Sequence, residues 1–333
     1  MLNTLQKLSA LTAPSGLETA VETYISDRAA SLGLSAQRDP LGNLLVEKPG
    51  AVHPARPVVL TAYMDEPGMM IRNVTDEGFF RFGLTGPTDP RTILGKTVLA
   101  GMGAHPGVVG RKPIHLTTPQ ERKTMPAADD LYLDLGAADR AAGESLAGPG
   151  DYAVFAPEFL ELGANALLAK AMGRSVGCSV LLSVMEQPLP VDVTFVFTTQ
   201  RQVGSRGAMA AAARLRPGVA IALELCPGDG EKQPKLGAGP VLPTVDKSAI
   251  YDRDLTALLR SAAPSPIQPW ATVDTDGDGG VFQRSGGGAK TAAVCCPARY
   301  CSGPAPVIDR RDLKAVPKLL LSGLAALKDR PWL

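Results

Sequence analysis

Short apolar segments alternate with amphipathic helical patterns along most of the chain, and this alternation limits the folds open to it. Segments with the composition of β-strands cover residues 41–47, 57–62, 191–198, 218–225 and 290–296. Helical patterns cover residues 15–34, 166–185, 205–215, 250–262 and 311–327. The first helical pattern opens with a capping box, in which Ser15 is the N-cap and Glu18 follows three residues later. We therefore predict an α/β fold with a mostly parallel sheet and helices on both faces.

The stretch from residue 68 to residue 157 breaks this alternation. Its apolar runs are short and are separated by Gly, Pro and Asp, which is typical of a small β structure. We predict an inserted β-rich domain over residues 68–157. The α/β domain would then combine residues 1–67 with residues 158–333.

The charge balance excludes several classes of function. The chain has 34 Lys and Arg against 33 Asp and Glu, so it lacks the basic surface of a nucleic-acid-binding protein. No apolar run reaches membrane-spanning length, and the first residues lack a continuous signal-peptide core. Five cysteines in 333 residues suit a reducing compartment. We expect a cytoplasmic protein with neither nucleic acid nor membrane as a partner.

Polar side chains follow the predicted buried strands, at the edge where α/β sheets bind ligands. They are Tyr63, Asp65 and Glu66 after the second strand, Arg201 and Gln202 after the third, Glu224 in the fourth, and Cys301 with Ser302 after the fifth. We predict that these side chains converge on one crevice.

Three other candidate sites are set aside. The loop with Asp274, Asp276 and Asp278 starts like a calcium-binding loop, but its twelfth position is Ser285, and a solvated acidic loop is the better interpretation. Neighbouring Cys295 and Cys296 point to opposite faces of a strand and are expected to be small buried hydrophobic residues. The three histidines all precede residue 116, which argues against a histidine-dependent site at the strand ends.

Several motifs together resemble the glutamyl and deblocking aminopeptidase family. They include LTAPSGLE, TAYMDEPGMMIRNV, VVGRKPIHL, LYLDLGA, QVGSRGA, KLGAGPVL and PARYCSGP, which extend over almost the whole chain in the family's order. The family consists of cocatalytic dinuclear metallopeptidases that form tetrahedral dodecamers. The resemblance implies that the inserted segment is a PDZ-like domain used in assembly.

The metal-binding positions of the family carry unusual residues here. The first His of the family falls on Tyr63, the bridging Asp on Gly173 and the last His on Ser302. Tyr and Ser are poor ligands for the zinc or cobalt that the resemblance implies.

The remaining functional positions are also changed. The general base Glu of the family falls on Arg201, the adjacent ligand Glu on Gln202, and a ligand Asp on Glu224. Asp65, which orients the first His in the family, is retained. We predict that Arg201 pairs with Asp65 or Glu224 and takes the position of the metals.

From these positions we predict that the chain binds no cofactor and is a catalytically inactive aminopeptidase homologue. It would bind peptides or amino acids in the crevice, or act as a structural or assembly subunit. The resemblance implies self-association, from a dimer to a dodecamer, or association with a related active subunit. Two alternatives are an active metal-dependent aminopeptidase with a rebuilt metal site, and a metal-free hydrolase with Cys301 or Ser302 as nucleophile.

Overall fold

An eleven-stranded mixed sheet forms the centre of the fold. The computed structural model describes residues 1–330. The helices are α1 Leu2–Ala10, α2 Thr19–Ser31, α3 Arg140–Leu146, α4 Met172–Met185, α5 Arg206–Leu215, α6 Arg253–Ala262, α7 Gly279–Gln283 and α8 Arg310–Leu327. The strands are β1 Ala36–Arg38, β2 Leu44–Lys48, β3 Val58–Tyr63, β4 Gly68–Val74, β5 Phe80–Thr85, β6 Thr97–Ala100, β7 His105–Arg111, β8 Leu131–Asp134, β9 Tyr152–Phe155, β10 Phe159–Leu162, β11 Ala166–Ala169, β12 Val193–Thr198, β13 Val219–Pro227, β14 Val241–Val245, β15 Gln268–Ala271, β16 Lys290–Arg299 and β17 Val307–Asp309.

The strand order of the sheet is β1-β2-β12-β3-β13-β16-β17-β11-β10, with β14 and β15 attached beside β16. The four central strands, β12, β3, β13 and β16, are mutually parallel. Both ends of the sheet pair antiparallel. The α/β fold class is confirmed, but the prediction of a mostly parallel sheet is wrong, because the sheet is mixed. Short connections make the pairs β1–β2, β10–β11 and β16–β17 antiparallel.

Helices cover both faces of the sheet because successive residues of a strand point to opposite sides. In β3, Val58 and Leu60 pack with the larger core, to which α1, α2, α4, α6 and α8 contribute. Val59, between them, packs with α5 and α7 on the other face. The apolar composition of the central strands therefore reflects burial on both sides.

Residues between β4 and β9 form a small six-stranded barrel domain with the closed order β4-β5-β8-β7-β6-β9. Its strand pairs are antiparallel, and it has a hydrophobic core of its own that includes Phe80 and Phe82. Arg81, between these two residues, points outward. Closure removes the exposed edges that a small sheet would otherwise present to solvent.

Two predicted helix boundaries are wrong. The helical pattern over residues 166–185 is strand β11 followed by helix α4, and the chain turns between them at Ala171, which has φ 50°. Helix α2 starts at Thr19 instead of at Ser15, whose hydroxyl donates to Asp65. No helix within residues 1–330 has the length and hydropathy needed to cross a bilayer.

Candidate functional site

A cavity of about 650 Å³ opens at the carboxyl ends of the four parallel strands. Leu84 and Phe155 of the barrel form part of its wall, so the cavity lies between the barrel and the sheet. The residues that we selected from the sequence all line it: Tyr63, Asp65, Gly173, Arg201, Gln202, Glu224 and Ser302. They meet because parallel strands end at one edge of the sheet.

Gln202 and Ser302 lie where the sheet contacts the barrel. The backbone carbonyl of Ser302 accepts a hydrogen bond of 3.2 Å from the amide of Asp89. A Cβ atom on Gly86 would lie 3.1 Å from Cβ of Gln202. These close backbone approaches fix the mouth of the crevice.

Arg201 is the central cation of the crevice, and its side chain is 13% exposed. Its Nη2 donates to the carbonyl of Asp276 and, at 2.9 Å, to Oδ1 of the same residue. Its Nε lies 3.8 Å from Oε1 of Glu224 and 3.6 Å from Oδ1 of Asp278. The guanidinium also lies over the ring of Tyr63, 5.8 Å from the ring centroid. The ion pair between Arg201 and Glu224 is thus longer than a hydrogen bond, and only the backbone amide of Arg201 donates to Asp65.

Asp278 is buried beside the crevice, so the prediction that it lies in a solvated acidic loop is wrong. Asp278 is 1% exposed, and its Oδ2 accepts a hydrogen bond of 2.8 Å from Thr198. Its amide donates to Oε1 of Glu224 at 3.0 Å. Gly277 permits this approach, since a Cβ there would lie 2.9 Å from the same oxygen. The glycine before a buried acid was the available sequence signal.

Glu224 ionises at a higher pH than an ordinary glutamate. Burial raises the pKa of Glu224 to about 8, although Arg201 acts in the opposite direction. The carboxyl group is therefore mostly protonated at neutral pH.

Asp65 holds the start of the loop after β12. Its two oxygens accept hydrogen bonds from the hydroxyl of Ser15 and from the amides of Arg201 and Gln202, at 2.6 to 3.0 Å. Burial raises the pKa of Asp65, while these three donors act to lower it. Asp65 therefore fixes the position of the backbone at Arg201 and Gln202.

Tyr63 and Gly173 fit each other sterically. A Cβ atom on Gly173 would lie 2.0 Å from the hydroxyl of Tyr63. Any other residue at position 173 would displace that ring. Burial raises the pKa of Tyr63 well above its ordinary value, so the hydroxyl stays protonated.

A second group of charges lies deeper in the same wall. Glu66 accepts hydrogen bonds of 2.9 and 3.0 Å from Lys170, and Nη2 of Arg174 lies 3.6 Å from it. These side chains are at most 2% exposed. Two buried cations therefore share one buried carboxylate.

The histidines and cysteines do not add a catalytic group to the crevice. His53, His105 and His115 lie outside the cavity. Burial raises the pKa of the Cys301 thiol to about 12, which leaves almost no thiolate at neutral pH. Cys295 and Cys296 are buried in β16, as predicted. The Cys301 thiol is thus not activated by a low pKa, and no histidine lines the cavity to act as a base for Cys301 or Ser302.

Comparison with known proteins identifies the family. The family model for M42 glutamyl aminopeptidase matches residues 42–319. Glutamyl aminopeptidase of Lactococcus lactis subsp. cremoris is 28% identical, over 90% of this chain and 89% of its own. Lysyl aminopeptidase of Pyrococcus furiosus is also 28% identical, over 87% and 86%. The TET1 peptidase of Pyrococcus horikoshii, which can assemble into a tetrahedron or a large octahedral shell, is 30% identical, with a TM-score of 0.87 and 98% of both chains covered.

This match contradicts the expectation that the chain takes no cofactor, because M42 aminopeptidases are metal-dependent. The crevice nevertheless fits a pair of metal ions poorly. Across residues 1–330, no three His, Cys, Asp or Glu side chains are grouped so that they could hold an ion. The guanidinium of Arg201 also lies beside the two buried carboxyl groups, where it repels cations. The order of the motifs, the fold and the position of the crevice agree, and the chain belongs to the M42 glutamyl aminopeptidase family.

Proposed function

We propose that this chain binds peptides or amino acids in the crevice and is catalytically inactive as a peptidase. The position of Arg201 is the observation that carries the proposal. Its guanidinium lies between Glu224, Asp276 and Asp278 and engages the acids that surround the centre of the cavity. A peptidase needs a group there that removes a proton from water, and an arginine cannot accept one.

Three carboxyl groups of the cavity wall are poorly suited to replace that base. Asp65 already accepts hydrogen bonds from three donors, and Glu66 is bound by Lys170. Burial keeps Glu224 mostly protonated at neutral pH, since its pKa is raised to about 8. Only a minority of Glu224 carboxyl groups are then in the ionised form that a general base requires.

The same residues favour an amino group as ligand. Acids outnumber Arg201 around the centre, and Glu224 lies 8% exposed in the cavity wall. A ligand ammonium beside Glu224 would lower the pKa of that carboxyl and pair with it. Leu84, Phe155 and Leu225 offer apolar surface for a side chain. The glutamyl and lysyl aminopeptidases are equally similar to this chain, so they do not indicate which ligand side chain it prefers. The apolar wall favours an apolar side chain.

We further propose that residues 68–157 form a PDZ-like assembly domain, inserted into an aminopeptidase-like domain of residues 1–67 and 158–333. Met102, Ile114, Leu116 and Met125 of the insert are 60 to 81% exposed, which is unusual for large apolar side chains. They would be covered by self-association, up to a dodecamer, or by a related active subunit. The five free thiols accord with a cytoplasmic location.

Hydrolysis and binding are best tested in parallel on one preparation. Peptide substrates with acidic, basic and apolar first residues would be assayed with and without zinc, cobalt or manganese, and L-leucinamide binding would be measured by calorimetry. We expect binding without turnover, and weaker binding in Glu224→Gln. Turnover that is present in the wild type and lost in Glu224→Gln would contradict the proposal and establish an active aminopeptidase.

Assembly is tested by light scattering. We expect a species larger than a monomer at micromolar concentration, and a smaller one when Ile114 and Leu116 are both replaced by Ser. The matched control replaces Leu160, which is exposed but lies outside the insert. A monomeric wild type would contradict the assembly proposal.

A further inference from the structure

Two buried cations beneath the crevice share one ion-pair partner. Lys170 and Arg174 are 1% exposed, and their only ion-pair partner within residues 1–330 is Glu66, also 1% exposed. An anion that entered next to these two cations would gain a favourable electrostatic interaction.

Arg174 has hydrogen-bond donors that no described residue accepts. Its Nη2 donates to the carbonyls of Leu8 and Leu11 at 3.1 and 3.0 Å. Its Nε and Nη1 have no partner among the described residues. The residue forms part of the cavity wall. An arginine offers five donors, and here two donor nitrogens are buried and unused.

Helix α4 begins at the same place. Ala171, Met172 and Gly173 line the cavity, and the helix has no side-chain cap at its N-terminus. The first amides of a helix lack acceptors within it, and the helix dipole adds positive potential there. Ala171 is held at φ 50° and ψ 33°, a strained conformation for a residue with a Cβ atom, and this turn sets the direction of the first helical turn.

Gly173 and Tyr63 shape the entrance to this helix end. The absent side chain at position 173 leaves the backbone of the first turn uncovered, apart from the hydroxyl of Tyr63. That hydroxyl stays protonated and is a further donor in the cavity. The start of helix α4, Arg174 and Tyr63 therefore line the same cavity as Glu224.

We propose that the N-terminus of α4, with Arg174 and Tyr63, binds a carboxylate. The ligand class is then a free amino acid or a short peptide, whose carboxylate lies at α4 and whose amino group faces Glu224. The position of the ligand's amino group rests on the proposed function, whereas the carboxylate site does not depend on that function.

The test compares L-leucine with L-leucinamide, which keeps the amino group and side chain but lacks the carboxylate. Acetate and inorganic phosphate are the other probes, and binding is measured by titration calorimetry on the wild-type protein. We expect leucine to bind at least about tenfold more tightly than leucinamide. Hydrogen bonds to a charged group contribute a binding free energy of this size. Acetate should compete with leucine and phosphate should bind more weakly than leucine.

Variants locate the effect. Arg174→Met should abolish the preference for leucine, whereas Lys247→Met, which removes an exposed cation at the rim of the same cavity, should preserve it. Because Arg174 is buried, Tyr63→Phe provides a milder second variant. It should weaken leucine binding about fivefold and leave leucinamide binding unchanged.

The possible failures are distinguishable. If leucinamide binds as tightly as leucine in the wild type, the carboxylate site is refuted and the proposed function survives. If acetate binds and is lost in Arg174→Met but neither leucine nor leucinamide binds, the carboxylate site stands and the proposed function fails. Phosphate binding at least as tight as that of leucine would overturn the assignment to carboxylates.

Discussion

Replacing Glu224 by Gln is expected to stabilise the protein at alkaline pH, because the wild-type carboxyl is buried where its charge is disfavoured. The pKa of Glu224 is raised from 4.5 to about 8 by burial. Between these two values the unfolded chain releases a proton that the folded protein keeps. This group therefore costs no stability below pH 4.5, and its cost grows as the pH rises towards 8.

The size of the effect follows from the same two values. At about 1.4 kcal/mol per pH unit, the wild type loses up to about 5 kcal/mol of unfolding free energy between them. Gln does not ionise, and its oxygen can still accept the 3.0 Å hydrogen bond from the amide of Asp278. The difference between variant and wild type should thus be near zero at acidic pH and reach several kcal/mol above pH 8.

Urea unfolding followed by circular dichroism would measure this difference, at one protein concentration and at pH values of about 5 and about 8.5. Glu77→Gln is the matched control, since Glu77 is an exposed glutamate of the barrel domain. The control should show no comparable dependence on pH. A Glu224→Gln protein that is less stable than the wild type at the higher pH would refute the reasoning, because it would show that attraction to Arg201 outweighs the cost of burial.

Three further substitutions test the packing of the crevice by urea unfolding. Asp65→Ala should lower the unfolding free energy by about 3 kcal/mol, because it leaves three donors without an acceptor. Asp65→Asn should lower it by less, and equal losses in the two variants would contradict this account. Gly173→Ala should destabilise through its contact with the Tyr63 hydroxyl, and adding Tyr63→Phe should recover part of the loss; a neutral Gly173→Ala would exclude the clash. Arg201→Glu should cost about 3 kcal/mol or more at neutral pH, since it removes the cation from a buried acidic cluster, and an unchanged stability would show that the guanidinium does not pair there.

The positions of the crevice residues could be predicted because parallel strands align their carboxyl ends. Tyr63 ends β3, and Arg201 follows β12 at the adjacent position in the sheet. The burial of Asp278 could not be predicted, because this residue follows a polar, glycine-rich loop whose composition is typical of exposed turns. Its burial depends on Thr198 and Glu224, which are far away in sequence.

The edges of the sheet and the start of α4 could not be predicted for a different reason. Strands β10, β11 and β17 are three or four residues long, too short for a period of two to be recognised. The boundary between β11 and α4 depends on Ala171 in the left-handed region, which glycine usually occupies and which no local signal marks. Tertiary contacts decide both features.

The unusual crevice residues form one packed set in which each depends on the next. The Tyr63 hydroxyl occupies the space of a side chain at position 173, so the larger residue requires the glycine. The ring of Tyr63 in turn contacts Arg201, whose guanidinium pairs with Asp276 and lies beside the buried carboxyl groups of Glu224 and Asp278. Changing one of these side chains alone would therefore leave either a clash or an unpaired buried charge. These crevice residues therefore have to be changed together if their packing is to be kept.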